Sequence, residues 1–353
     1  MRHIHAIIGS LTSRGINGML ISHIRNVRYL TGFTGSSACL LITGRERIFF
    51  TDPRYEEQAK REVRGFDIVI ERNERPKEIL EQARAVGVKT LGFESTVSYA
   101  FYKALLRKGI RVKGITNLIE EMRRVKSALE IKAITKAVER AEKAFLEVKH
   151  YIRPGVPERH LAVRLETALK KQGCTVIPFD IIVASGKNSA MPHARPSDNR
   201  IRPGDFVMFD WAGEAGGYFS DMTRTFLMKG GRDLSKKIEV YTAVLNANVS
   251  AIRSVHHETA ARMVDKTARD VIKKAGYGDY FGHGTGHGVG LDVHELPRIS
   301  RFGRESIRSG MVFTVEPGIY LPGLGGVRIE DMVLVERQGC RTLTSLPKKL
   351  ELL

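Results

Sequence analysis

Short apolar runs alternate with amphipathic stretches along the first 120 residues. A helical pattern over 3–13 ends near Gly15, and strand patterns follow at 18–22, 38–43 and 47–51. The last two are joined by a turn at Thr43-Gly44-Arg45. A helix after Pro53, a strand at 67–70, a helix after Pro76 and a strand at 90–93 continue the alternation. Helices interleaved with strands in this way predict an α/β unit. The pattern changes near 120–127, so two domains are expected, over 1–122 and 126–353.

From residue 127 the period lengthens. Ser127-Ala-Leu-Glu130 has the form of a capping box. Behind it, Ile131, Ile134, Val138, Ala141, Phe145 and Val148 recur at three- and four-residue steps and make one helical stripe. Pro154-Gly155 ends this helix, Pro157 suits the first turn of another, and Gly173 stops that one. Strand patterns then run to Phe226. The same order restarts after Ser235, with a helix to about His256, a helix over about 259–275, a stop at Gly276 and strands to the end.

This second pass predicts an internal repeat. Arg202-Pro-Gly204 is followed by five residues and Asp210, and Arg308-Ser-Gly310 by five residues and Glu316. Both pairs are 106 residues apart, and in each copy an apolar strand (FVMFD, MVFTVE) ends on a carboxylate. Two related halves facing each other across a pseudo-twofold axis would bring these carboxylates to one centre.

Composition narrows the class. The 353 residues are 42% hydrophobic and 27% charged, which is ordinary for a globular protein. Cys39, Cys174 and Cys340 lie far apart without a CxxC, so reduced thiols in a cytosolic protein are expected. The first residues lack the apolar run of a signal peptide, and no stretch is long enough to span a bilayer. Net charge is +18. Residues 1–125 hold 22 Lys and Arg against 13 Asp and Glu, and the remainder 35 against 26, so each part carries +9. Basic residues neither cluster nor interleave with aromatics, so a solvated basic surface is expected rather than nucleic-acid binding.

The chemistry gathers in the second part. In FVMFDWAGEAGGYFSDMTRTF a hairpin centred between Ala215 and Gly216 would oppose Asp210 and Asp221, with Cβ atoms roughly 5 Å apart. Carboxylates that close repel unless a cation lies between them or one keeps its proton, and a pair of metals about 3.5–4 Å apart fits the gap. From Gly282 to Gly290 glycine fills every even position, while His283, Thr285, His287, Val289 and Leu291 fill the odd ones. On a strand this leaves one face bare and puts both histidines on the other. The run does not match a dinucleotide fingerprint. Glu316 precedes a strand-stopping Pro317-Gly318. Arg328 and Glu330 share a strand face, where Arg328 can grip a carboxylate or a substrate oxygen. Four carboxylates and one imidazole suit a pair of Mn²⁺, Co²⁺, Fe²⁺ or Zn²⁺ ions, and argue against a Ca²⁺ or Cys-type zinc site. His3, His5, His23, His256 and His257 read as surface or structural residues.

The order Asp210, Asp221, His287, Glu316, Glu330 resembles that of the pita-bread metallopeptidases, which include aminopeptidase P, prolidase and methionine aminopeptidase. The strings SDMTRT, GHGTGHGVGLDVHE, FTVEPGIY and GVRIED are similar to that family's motifs, and IVASGKNSAMPHARPSDN to its substrate-side segment. NVRYLTGFTGSSACLLI and FFTDPRY resemble the N-terminal domain of the prolidase, aminopeptidase P and creatinase branch. The resemblance implies a creatinase-like α/β domain at 1–122 and an α+β pita-bread catalytic domain with a pseudo-twofold repeat at 126–353. It also implies two divalent ions, Mn²⁺ before Co²⁺, Fe²⁺ or Zn²⁺. Asp221 and Glu330 would hold both ions, Asp210 one, and His287 with Glu316 the other. A bridging water or hydroxide would attack the bond between an N-terminal residue and proline, with Glu316 shuttling protons. His193 and His294 would stabilise the tetrahedral intermediate and the leaving group, and His283 and Arg328 would lie on the substrate side. Peptides with proline in second position are the implied substrates, and a cytoplasmic homodimer the implied form.

Three alternatives stand beside this reading. One is a non-catalytic pita-bread module that binds peptides or proteins, against which all five ligand positions argue. Another is a different aminopeptidase of the same fold, and the third is creatinase, which works without metal. Two departures from the family pattern stand out. Trp211 follows Asp210 and is expected to alter the pocket wall, and Ala194 follows His193 where glycine is common.

Overall fold

In the computed structural model, which describes residues 2–106 and 109–353, the N-terminal alternation becomes a six-stranded sheet. Gly18–Ile21 lies inside it, antiparallel to Ala38–Thr43 and parallel to Thr90–Glu94. Arg47–Thr51 and Asp67–Ile70 extend one side and Arg111–Ile115 the other. Both faces are covered, which is why the inner strands read as continuous apolar runs. Met19, Ile21, Leu40 and Ile42 pack with Ile4, Ile7 and Leu11 of the first helix, Arg2–Thr12. Leu20, Cys39 and Leu41 pack instead with Ile79, Leu80 and Ala83 of the helix Arg75–Ala85. Periodicity misses Ile24–Thr31, Tyr99–Leu105, Leu118–Arg123 and Arg111–Ile115. The three helices have eight residues or fewer, and the edge strand is largely exposed, so none carries a readable apolar repeat.

The chain divides into two compact units, Met1–Arg123 and Arg124–Leu353. In the second, Ser127 caps the helix Ala128–Lys149, and its backbone N–H donates to Glu130 at 2.8 Å. The next helix is Glu158–Lys171, with Pro157 at its N-cap rather than inside the first turn. Ile182–Ser185, Phe206–Trp211 and Met222–Leu227 then form an antiparallel sheet with Phe206–Trp211 in the middle.

The repeat is structural. Helices Leu234–Arg253 and Ala261–Lys274 lead into a five-stranded sheet that contains Gly286–Gly288, Val312–Val315 and Asp331–Val335. Residues 128 and 234, where the long helices begin, are 106 apart, as are 206 and 312, where the matching strands begin. Gly204 and Gly310, the glycines of the matching tripeptides, take left-handed φ of +81° and +87°.

The glycine-alternating run is less regular than its spacing predicts. Only Gly286–Gly288 is a strand, with a bulge after His287. Backbone presses on it from both sides. A Cβ on Gly286 would lie 1.9 Å from the Thr314 carbonyl oxygen, and one on Gly288 2.1 Å from that of Leu296. The bare backbone does serve close approach, also at Gly284 and Gly290, but only three residues of the run are strand.

The long helix rests on the back of the first-half sheet through aromatic packing. Phe145 stacks on Trp211 at 4.5 Å and on Phe226 at 5.6 Å, and meets Phe209 edge-on at 5.4 Å. The indole N–H of Trp211 donates to the Ala141 carbonyl at 3.1 Å, which satisfies its polar atom inside the core. No helix among the described residues is long and apolar enough to cross a membrane.

Phe145→Ala should cost about 3–5 kcal/mol, because the ring leaves a void between three aromatics. Trp211 is the chain's one tryptophan, so its fluorescence in a denaturant titration reports this unit directly. An unchanged midpoint would show that the stack is dispensable.

Candidate metal centre

The hairpin after Asp210 turns on Gly216 and Gly217, which both take positive φ (+58° and +84°) as a two-residue type I′ turn requires. The turn centre therefore falls one residue later than the spacing suggested, and Asp210 opposes Thr223, not Asp221. Asp221 sits just before the strand Met222–Leu227, diagonal to Asp210. The two carboxylates share a face without being directly paired.

The second half completes the group. Glu316 follows Val312–Val315, and its backbone N–H donates to the Thr285 carbonyl at 2.7 Å, which ties it to the histidine run. Glu330 lies between Gly325–Arg328 and Asp331–Val335, and its N–H donates across to the Thr223 carbonyl of the first half at 3.1 Å. Candidate donor atoms of Asp210, Asp221 and Glu330 lie within 4.8 Å of one another, as do those of His287, Glu316 and Glu330. Asp221, His287 and the exposed His294 form a third such set. Asp221 and Glu330 thus sit centrally among five predicted ligand residues.

The electrostatics fit a cation. Burial, reinforced by Glu330 and Asp210, pushes the Asp221 carboxyl well above its ordinary range. Burial with Glu316 and Asp210 does the same to Glu330. Burial also raises Asp210, although Arg328 pulls the other way. Glu316 is the exception: its bond to His287, with Nε2 and Oε1 3.3 Å apart, overcomes burial and holds it at about 2. Asp210 Oδ1 and Asp221 Oδ1 are buried with no hydrogen-bond partner. Orphaned acceptors of this kind need an explanation, and a bound divalent ion supplies one. His287 is oriented for it, since Nδ1 faces the Gly288 carbonyl at 3.1 Å and leaves Nε2 toward Asp221 and Glu316.

A cavity of about 390 Å³ opens over this cluster. His193, His283, His294 and Arg328 all border it, and Phe179, Ile182 and Pro192 give it an apolar side. Burial lowers the pKa of His283 and His294, so both imidazoles stay neutral to lower pH than usual. His283 belongs to no ligand set; its Nε2 meets the Tyr320 hydroxyl at 2.9 Å. That hydroxyl donates nothing to Arg328 but receives its Nη1 at 2.8 Å, and Arg328 Nη2 grips Asp210 Oδ2 at 2.6 Å. Arg328 also donates Nε to Thr223 and Nη1 to the Pro192 carbonyl. Most of its fork is spent on the protein.

Sequence reasoning missed Tyr320 and Thr223. Thr223 links Arg328 to Glu330, whose Oε2 its hydroxyl meets at 2.7 Å. Both lie inside quoted strings, FTVEPGIY and SDMTRT, and only the register shows what they touch. The expectation for Trp211 is overturned: it is fully buried against the helix Ala128–Lys149, on the opposite face of the strand from Asp210, and forms no part of the cavity wall. Ala194 is buried with Ile182, Ala184 and Met208, a small apolar pocket that its methyl group helps to fill.

Residues 132–337 match the sequence profile of metallopeptidase family M24, and 4–125 that of the creatinase/prolidase N-terminal domain. The chain is 38% identical to the Xaa-Pro dipeptidase of Pyrococcus horikoshii, over 98% of each protein. Among solved structures, an Xaa-Pro dipeptidase from Bacillus anthracis superposes with a TM-score of 0.96 at 38% identity, covering 100% of this chain and 99% of that one. An X-Pro aminopeptidase from Thermotoga maritima gives 0.89 at 35% identity, with 99% of each chain covered. The architecture is the creatinase-type N-terminal fold followed by the pita-bread fold.

The raised carboxyl groups have a measurable consequence. They keep protons on the metal-free cluster above the usual carboxylate range, which favours the metal-free fold at low pH. That advantage is lost as pH rises through the raised values, because the cluster then charges. A divalent ion must displace those protons, so binding should release them and tighten with rising pH. Isothermal titration in buffers of different ionisation enthalpy counts the protons. Zero release with pH-independent affinity would contradict a shared carboxylate site.

Proposed function

The chain belongs to metallopeptidase family M24, and on that premise we propose that it hydrolyses the bond between an N-terminal residue and proline with divalent ions held by Asp210, Asp221, His287, Glu316 and Glu330. It is a metal-dependent peptidase, in line with its Xaa-Pro dipeptidase and aminopeptidase relatives. One observation carries the site assignment: both halves of the repeat deliver carboxylates to one buried cluster in which Asp210 Oδ1 and Asp221 Oδ1 lack hydrogen-bond partners.

Asp221 and Glu330 would each serve two ions, Asp210 one, and His287 with Glu316 the other. When bound, the ions would acidify the attacking water and polarise the scissile carbonyl. The chain's own groups do the rest. Glu316 carries the proton from that water toward the leaving nitrogen. The imidazoles of His193 and His294 donate N–H groups to charge that develops on the carbonyl oxygen. Arg328 holds Asp210 in place from the substrate side, and His283 orders the same side through Tyr320. A prolyl amide has no N–H, so its ring asks for apolar contact. Phe179, Ile182 and Pro192 offer that.

Within this reading, residues 1–122 form a creatinase-like domain and 126–353 the catalytic domain. Mn²⁺ is the first candidate metal, and a cytoplasmic homodimer the proposed form. A non-catalytic binding module is disfavoured because no ligand position is missing.

Asp221→Ala and Glu330→Ala should each lower kcat/KM on an X-Pro dipeptide at least about 100-fold, even with excess Mn²⁺ or Co²⁺, and metal content should fall in parallel. Full turnover by either variant would sink the dinuclear assignment. Parallel assays on X-Pro and X-Pro-Pro decide between dipeptidase and aminopeptidase, and anomalous scattering identifies the ions.

A further inference from the structure

Glu158 opens the helix Glu158–Lys171 and is fully buried, yet it belongs neither to the carboxylate cluster nor to the cavity wall. A buried charge is costly unless hydrogen bonds compensate it, and six donor groups converge on this one. Its Oε1 accepts from the backbone N–H and hydroxyl of Ser185 at 2.7 and 2.9 Å. The side-chain amides of Asn188 and Asn199 reach the same oxygen at 3.1 Å each. Its Oε2 accepts from the N–H and hydroxyl of Ser197 at 3.1 and 2.7 Å, and from Asn188 at 3.1 Å. The positive end of the helix dipole adds to the same balance.

All four partners lie on 185–199, the segment that brings Pro192, His193 and Ala194 to the cavity. This segment has one short turn, Gly186–Ala190, and no regular element after it. Two bonds tie its middle to the second half: Gly326 N–H donates to Ser189 Oγ at 2.8 Å, and Arg328 donates to the Pro192 carbonyl at 3.2 Å. Its two ends are drawn together on the Glu158 carboxylate. The charge does here what strand pairing does elsewhere in the unit.

We infer that Glu158 is a positioning residue that fixes the 185–199 segment and thereby places the His193 imidazole in the cavity. The inference rests on the role given to His193 above.

Glu158→Gln tests it sharply. Each oxygen of Glu158 accepts from a backbone N–H, that of Ser185 on one side and that of Ser197 on the other. A glutamine NH₂ must face one of these donors whichever way the amide flips. Hydroxyls can rotate away, but the backbone N–H groups cannot, so the segment has to shift. Misplacing a reacting group by about 1 Å can cost up to about 100-fold. The variant should therefore lose about 10- to 100-fold in kcat/KM on an X-Pro dipeptide, with metal content equal to wild type.

A double-mutant cycle with His193→Ala separates positioning from a general loss of stability. The Glu158→Gln effect should vanish in the His193→Ala background, because no imidazole remains to be placed. Ser197→Ala removes one hydroxyl and keeps the carboxylate. It should show a smaller loss with the same coupling, and it keeps the test readable if Glu158→Gln fails to fold. Three results would overturn the inference: wild-type kcat/KM in Glu158→Gln, metal loss in step with activity, or an undiminished effect in the His193→Ala background. Failure of the wild-type chain on any X-Pro peptide would instead overturn the functional reading beneath it.

Discussion

Repulsion among buried carboxylates is the constraint on which the second unit depends. Asp210, Asp221 and Glu330 converge although burial, with repulsion from neighbouring carboxylates including Glu316, raises the pKa of each. No side-chain preference would bring them together. The backbone imposes the meeting, because strands of two related halves cross at this point. Glu330 N–H bonds to the Thr223 carbonyl, and the Thr225 hydroxyl bonds to the Arg328 carbonyl. Beneath the crossing, buried Arg224 donates to the carbonyls of Thr223, Glu330 and Leu346, and pairs with Asp331 at 2.8 Å. Removing one member of such a pair typically costs about 3–5 kcal/mol, because the other charge is left stranded. The stability invested in this scaffold is what holds the carboxylates together against that repulsion.

The two sides of the first-half sheet divide the labour. Alternation along Phe206–Trp211 sends Asp210 to the cavity and Trp211 into the aromatic stack behind it. The strand that carries Asp210 is thus clamped against the helix Ala128–Lys149 from the rear. On the second half, Asn248 of the helix Leu234–Arg253 plays a comparable part, donating to the carbonyls of Val315 and Ile329, each one residue before a carboxylate of the cluster. Rigid support at both carboxylate-bearing segments is what a preorganised site requires. On the cavity's other wall the 185–199 segment has no regular element after Ala190, and there buried Glu158 supplies the bonds.

Much was legible along the chain. The capping box at Ser127, the apolar stripe behind it and the 106-residue offset are local or periodic signals, and each names an element without knowledge of its neighbours. The candidate donors stand out for a related reason: carboxylates at strand ends beside glycine and proline are an expensive arrangement, and the fold does gather them. The weaker readings were those that needed register. A one-residue difference in the position of the Gly216-Gly217 turn moved the partner of Asp210 from Asp221 to Thr223. The glycine run kept its close backbone contacts but yielded a strand of only three residues.

The sequence by itself determined the elements, the repeat and the inventory of donors, because helix stripes, turn glycines and charged residues act over distances of a few residues. Tertiary structure alone decided what packs against Trp211 and which partners Tyr320, Thr223 and Glu158 find. Those partners lie 8 residues away for the Tyr320–Arg328 bond, 107 for Thr223–Glu330 and 39 for Glu158–Ser197. No local preference encodes such separations. They follow from the packing of two half-domains, in which a buried polar group must find its partner wherever the fold brings one within 3 Å.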